Sequence, residues 1–274
     1  MQMKKLFPLL VLLTLVYSCS TEPKKSDVET VTPKKEELVK TLDYEIVGKI
    51  PHALTSFTEG LLFHNNQLFE STGSPENLPD TKSVFGIIDT LTGSINKKAE
   101  LDKKYFGEGI IILNDKIYQL TYKNQIGFIY DAKTYKQIGQ FNYKNKEGWG
   151  LTTDGTSIIM SDGTNILTYM DPNTLKVTKT INVTNAGYAE DYLNELEFIK
   201  GYIYANIWTK NYVVKIDINS GKVVGVLDFS SLSEEAHTKN PDADVLNGIA
   251  YDPATDRMFA TGKLFPYIYV IKLK

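Results

Sequence analysis

NELEFIKGYIYANIWTKNYVVKIDINSG, residues Asn194–Gly221, is built from short apolar runs separated by tight polar turns. Its runs GYIYANIW and NYVVKIDI alternate apolar with polar residues and are rich in Val, Ile and Tyr, the pattern of half-buried strands. Lys200-Gly201, just before the first run, suits a hairpin turn. The same order of turn, run, turn and run recurs in FTEGLLFHNNQLFESTG from Phe57, FGEGIIILNDKIYQLTYKNQIGFIYD from Phe106, GWGLTTDGTSIIMSDGTNILTYMDP from Gly148 and NGIAYDPATDRMFATGKLFPYIYVIKL from Asn247. In the clearest copies a third run ends in a hydrophobic-Asp pair. Aligning Gly60, Gly109, Gly150, Leu196 and Gly248 gives a spacing of about 47 residues, within the range of propeller blades. The expectation is an all-β protein, a five-bladed β-propeller, since a β-sandwich supplies no reason for a fivefold recurrence. Residues at the start of each innermost strand then ring the mouth of the central channel. In this alignment they are Glu59, Glu108, Trp149, Glu195 and Asn247, a mixture that suggests a site rather than a repeated structural position.

The remaining sequence sets limits. The chain has 274 residues, 30 Lys and Arg against 33 Asp and Glu, a formal net charge of -3 and a pI of about 5.7. With no basic stripe in the body, no nucleic-acid partner is expected. Residues 1–18 read as a signal peptide of lipoprotein type, with lysines followed by an apolar stretch too short to span a bilayer. Cys19 is the lipidation site this ending suggests, although Tyr17 stands where such signals usually carry a small residue; a plain secretory signal is the alternative. Export to a bacterial periplasm or cell envelope follows, with a membrane anchor at Cys19 and a net charge near -5 once Lys4 and Lys5 are removed. Residues 19–43 read as a charged, disordered linker, and 44–274 as the propeller. Cys19 is the only cysteine, so the body has no disulfide. His52, His64 and His237 are widely spaced, and no zinc-ligand pattern exists. The acidic strings SDGT and DADVLN lack calcium-loop spacing and read as turns.

FTEGLLF, YFGEGI, GFIYD, GWGLTTDG, LNELEFI, YANIW and DVLNGIAYD through RMFATGKLFP together resemble the plant and bacterial type of glutaminyl-peptide cyclotransferase. The likeness runs from about Pro51 to Lys274 and touches every repeat in order. It implies a five-bladed propeller that converts the N-terminal glutamine of peptides or proteins to pyroglutamate and releases ammonia. It also implies no cofactor for catalysis, allows a structural calcium ion in the channel, and fits a monomer.

The implied chemistry makes three demands. The substrate's own amine attacks its side-chain amide, so proximity is built into the substrate. A group must carry a proton from amine to leaving ammonia, donors must stabilise an oxyanion, and walls must exclude water. By resemblance Glu108 is the acid/base group, and Asn194 and Lys263 polarise the carbonyl. Gly107 and Gly109 are expected to give the substrate access to Glu108. Phe57, Phe106, Tyr122, Trp149 and Trp208 are expected to line the pocket. Tyr122 stands where the family often has tryptophan, and Glu59 where plant members have glutamine. That extra carboxylate is expected to raise the pKa of Glu108, favour a cationic amino terminus or bind a cation. Two alternatives remain open on the residues: a lipid-anchored propeller that binds peptides or envelope partners without catalysis, and a metal-dependent hydrolase acting on lactones or esters.

Overall fold

The structure, a computed structural model, describes residues 39–274; the expected signal peptide, Cys19 and the expected linker up to residue 38 lie outside the described residues. Five four-stranded antiparallel units follow one another. Blade 1 spans residues 58–100, blade 2 residues 107–142, blade 3 residues 151–182 and blade 4 residues 193–228. Blade 5 takes its inner three strands from Leu246–Asp252, Arg257–Gly262 and Tyr267–Leu273, and its outermost strand from Tyr44–Pro51. This last pairing, from Tyr44 opposite Leu273 to Pro51 opposite Tyr267, joins the two ends of the described chain and closes the ring.

The repeat seen in sequence has a local cause. Asn65-Asn66, Asn114-Asp115 and Lys200-Gly201 all take positive φ at both positions, the turn whose twist matches antiparallel strands. The hydrophobic-Asp pairs end the third strands. Asp89, Asp131, Asp171 and Asp217 each accept hydrogen bonds from the backbone N–H groups two and three residues on. Blade 5 lacks this turn because its fourth strand comes from the other end of the chain.

Burial falls from the centre outwards. The middle strands of blade 4 are buried on both faces, whereas Val177–Asn182, outermost in blade 3, is mostly exposed. The core is five clusters, one at each junction between blades. Leu62, Phe69 and Phe85 meet Ile110, Ile117 and Phe128 at the first of them. The junction of blades 4 and 5 also receives an α-helix, Ser230–Lys239, through Leu232 and Ala236. Sequence reading finds no helical stripe there because only Leu232, Ser233 and Ala236 are buried along it.

Order begins upstream of the Tyr44 boundary. Lys40–Thr41 pairs in parallel with the outermost strand of blade 4, Leu42 donates its N–H to the Val226 carbonyl, and the Leu42 side chain lies where a side chain at Gly225 would stand. The last part of the expected linker is therefore part of blade 4's edge.

Candidate active site

Four of the five innermost strands are irregular where they start at the channel mouth. In blade 2, Gly107 opposes Thr121 and Ile110 opposes Gln119, so one residue is extra; blades 1, 4 and 5 repeat this. Such a bulge re-aims the side chain it carries. Counting from it, and in blade 3 from Gly150, the ring is Glu59, Glu108, Trp149, Asn194 and Asn247. The expected Glu195 is thus displaced by Asn194: the alignment on Leu196 was one residue out, because Glu195 occupies the place held by Gly60, Gly109, Gly150 and Gly248 in the other blades.

Those glycines have a packing role. A Cβ on Gly109 would lie 2.5 Å from the Leu151 nitrogen, and one on Gly150 would lie 2.1 Å from the Asn194 carbonyl oxygen. Gly107 likewise faces the Thr72 carbonyl, at 2.7 Å. The two glycines beside Glu108 are buried between neighbouring backbones and are not openings for a substrate. They let adjacent blades approach closely enough to hold Glu108 in place. Glu195 fits without a glycine because its side chain crosses the centre, accepting from the N–H groups of Leu61, 3.1 Å, and Ile249, 2.9 Å.

Four of the expected site residues meet in the ring or beside it: Glu59, Glu108, Asn194 and Lys263 are all at least nine-tenths buried. Lys263 Nζ lies 2.7 Å from Glu59 Oε1 and 4.6 Å from the centre of the Phe57 ring. Its loop is braced by backbone bonds to Asp244 and Val245, and by Asn240 Nδ2 donating to the Leu264 carbonyl. Leu264 holds a positive φ of 60°, the kind of backbone strain a surrounding structure must enforce. Asn247 Nδ2 donates to Glu59 Oε2 at 3.2 Å, and Glu59 and Glu108 stand on neighbouring strands whose backbones approach closely at Gly60 and Gly109. Burial pushes Glu108 well above the ordinary carboxylate range, the negative charge of Glu59 pushes it further, and Lys263 opposes both. Burial also raises Glu59, against the pull of Lys263. Asn194 Oδ1 and Asn247 Oδ1 are buried without a hydrogen-bond partner.

The five expected aromatics fall into two contacting groups. Phe57 meets Phe106 edge-on at 6.1 Å, Phe106 meets Tyr122 at 5.8 Å, and Trp149 meets Trp208 edge-on at 5.8 Å. Gly73 and Gly163 leave room beneath Phe106 and Trp149. Trp149 Nε1 donates to Glu147 Oε2 at 2.9 Å. Sequence reading missed Tyr192, which packs on Trp208 at 5.9 Å and is half exposed; as one of 17 tyrosines it carries no distinguishing signal. It also gave Asn247 a ring position but no task. A cavity of about 350 Å³ lined by Tyr105, Phe128, Tyr130 and Tyr135 lies between outer strands of blades 1 and 2, and contains none of the ring residues.

The expected calcium ion has no acidic ligand cluster among the described residues. No group of three or more His, Cys, Asp or Glu side chains is placed to hold a metal, and both Glu195 oxygens already accept backbone N–H groups. What the mouth offers is a buried carboxyl that burial biases towards its neutral form, an ammonium, amides with unpaired carbonyl oxygens, and flat apolar walls.

Comparison with known proteins points the same way. The family model described as glutamine cyclotransferase matches residues 10–273. The chain is 39% identical over 234 residues to the glutaminyl-peptide cyclotransferase of Arabidopsis thaliana, covering 85% of this chain and 72% of that one. The crystal structure of Myxococcus xanthus glutaminyl cyclase superposes with a TM-score of 0.77 at 32% identity, over 87% of this chain and 99% of that one.

Proposed function

The chain belongs to the glutamine cyclotransferase family, and from that membership we propose how its mouth closes an N-terminal glutamine into pyroglutamate. It is an enzyme of glutaminyl cyclisation; the roles of individual residues are our reading. The α-amine attacks the side-chain amide carbon within a single residue, so the enzyme supplies orientation, a proton path and charge stabilisation. Glu108 takes the proton from the attacking nitrogen and supplies one to the departing ammonia. Lys263, which has N–H donors beyond the one given to Glu59, and Asn194 donate to the amide oxygen as it gains charge. Phe57, Phe106, Tyr122, Trp149 and Trp208 enclose the side chain and lower the local dielectric, which strengthens those bonds.

One observation carries this reading: a buried carboxyl biased to hold a proton shares a single mouth with a buried ammonium and a buried asparagine amide. The test is loss of one ammonia from a Gln-initiated peptide, followed by mass, in wild type and in Glu108→Gln. Turnover by wild type with almost none in the variant supports the assignment; equal turnover in both removes Glu108 from it.

We also infer export and a lipid anchor at Cys19. Support comes from the two lysines, the apolar stretch and the placement of the only cysteine. Radiolabelled palmitate should enter the wild-type protein in a bacterial host and be absent from Cys19→Ala.

A further inference from the structure

Glu59 is the group in the mouth that the mechanism above leaves without a task. It is 2% exposed, and both its oxygens are occupied, Oε1 by Lys263 at 2.7 Å and Oε2 by Asn247 at 3.2 Å. Glu59 and Glu108 hold equivalent positions on adjacent innermost strands, where Gly60 and Gly109 bring the backbones together; a Cβ on Gly60 would lie 3.1 Å from the Gly109 Cα. Two carboxyls at neighbouring positions in a dry site oppose each other's ionisation. Donors to both oxygens favour the charged form of Glu59, whereas Glu108 has no cation directly bonded to it among the described residues.

We propose that Glu59 and Glu108 hold one proton between them, and that Glu59, pinned by Lys263 and Asn247, is the positioning residue that keeps this proton on Glu108. The idea rests on the cyclisation reading. As the bond from the α-nitrogen to the amide carbon forms and the bond from that carbon to the leaving nitrogen breaks, Glu108 gives its proton to the departing nitrogen. It takes another from the attacking nitrogen. The pair therefore carries one proton before and after each turnover, and the enzyme needs no proton from solvent to reset. The charged and titratable groups facing the pair are Lys263 and Asp244 beside blade 5, and Tyr122, Tyr143 and Glu147 from the end of blade 2 and its link to blade 3.

The experiment is the pH profile of kcat/KM on a Gln-initiated peptide, wild type against Glu59→Gln. The limb rising with deprotonation of the substrate amine is common to both enzymes. The limb falling as the pair loses its proton should move towards acid in Glu59→Gln by about one pH unit or more, since a like charge is removed and Lys263 is left facing Glu108. A purely structural role for Glu59 would lower activity and leave this limb in place; an unmoved limb overturns the proposal. A second readout does not depend on turnover or on that variant folding. The infrared difference between wild type and Glu108→Gln should contain a protonated-carboxyl band at about pH 8, well above the ordinary carboxylate range. Its absence overturns the proposal. A wild type that shows the band but releases no ammonia would instead defeat the cyclisation reading and leave the shared proton standing.

Discussion

The acidic residues at the outer turns of the blades and those at the centre are the same chemistry put to opposite use. Asp131, Asp171 and Asp217 are solvent-facing, and backbone N–H bonds hold them below the ordinary carboxylate range. Glu108, Glu195 and Glu197 are surrounded by protein, and burial pushes each of them well above it. Glu197 is half-buried by exposed area yet lies among enough protein to be strongly desolvated. The outer acids are stable as anions and serve the fold. The inner ones resist ionisation, which weakens the fold at neutral pH, and of the three only Glu108 stands in the ring at the mouth. The difference teaches that solvent access, and not residue type, decides which acids of this propeller are stable as anions and which resist ionisation.

Four measurements would break or sharpen that contrast. The largest effect is expected from Glu108→Gln, which should cost about 10²- to 10⁴-fold in kcat, as loss of a general acid/base group does. Its melting temperature should not fall, because a group that resists ionisation is replaced by a neutral isostere. A variant both inactive and unstable would place Glu108 among the structural acids.

Lys263→Met should lower kcat by about 10²- to 10³-fold through loss of an oxyanion donor, and should also destabilise by about 3–5 kcal/mol, because Glu59 is left buried and unpaired. Chemical denaturation beside steady-state kinetics separates the two losses. Restoration of stability but not activity in Glu59→Gln combined with Lys263→Met would show that the ion pair is structural and the ammonium catalytic.

The third measurement is stability against pH. For Glu108 and Glu195, whose folded pKa is raised, the contribution is complete below the unfolded value of about 4.3 and is lost as pH rises towards the folded value. For the outer aspartates, whose folded pKa is lowered, the contribution is present above about 3.9 and lost as pH falls through the folded value. Melting temperature should therefore decline from mildly acidic towards alkaline pH, and the decline should be shallower in Glu108→Gln. A slope unchanged by that substitution would mean that Glu108 is not among the groups responsible.

The smallest effect is expected at the periphery. Asp217→Ala should leave kcat unchanged and lower the melting temperature modestly, with the loss disappearing in acid where the aspartate is protonated. A change in kcat would connect the outer turn of blade 4 to the mouth and blur the division between the regions.

Much of the fold was legible because its signals are local. Asn65-Asn66 and Lys200-Gly201 specify turns by their own backbone preferences, and Asp171 finds its partners within three residues. The aromatics are legible only through resemblance, and they pack as two groups, Phe57, Phe106 and Tyr122 in one and Trp149 with Trp208 in the other. The role of the glycines beside Glu108 was misread, because a glycine that admits a ligand and one that admits a neighbouring backbone look alike in sequence. Glu195 was placed in the ring because its blade has no glycine to mark the bulge.

By itself, the sequence determined the fivefold repeat, its strands and turns, and the family to which the chain belongs, since each is written in short-range patterns. Only the tertiary structure decided that Tyr44–Pro51 completes the last blade, that Asn194 rather than Glu195 stands in the ring, and that Glu59 is held between Lys263 and Asn247. The physical reason is distance along the chain. Lys263 and Glu59 are 204 residues apart, and their pairing, with the buried proton beside it, exists only once closure of the ring has removed the water.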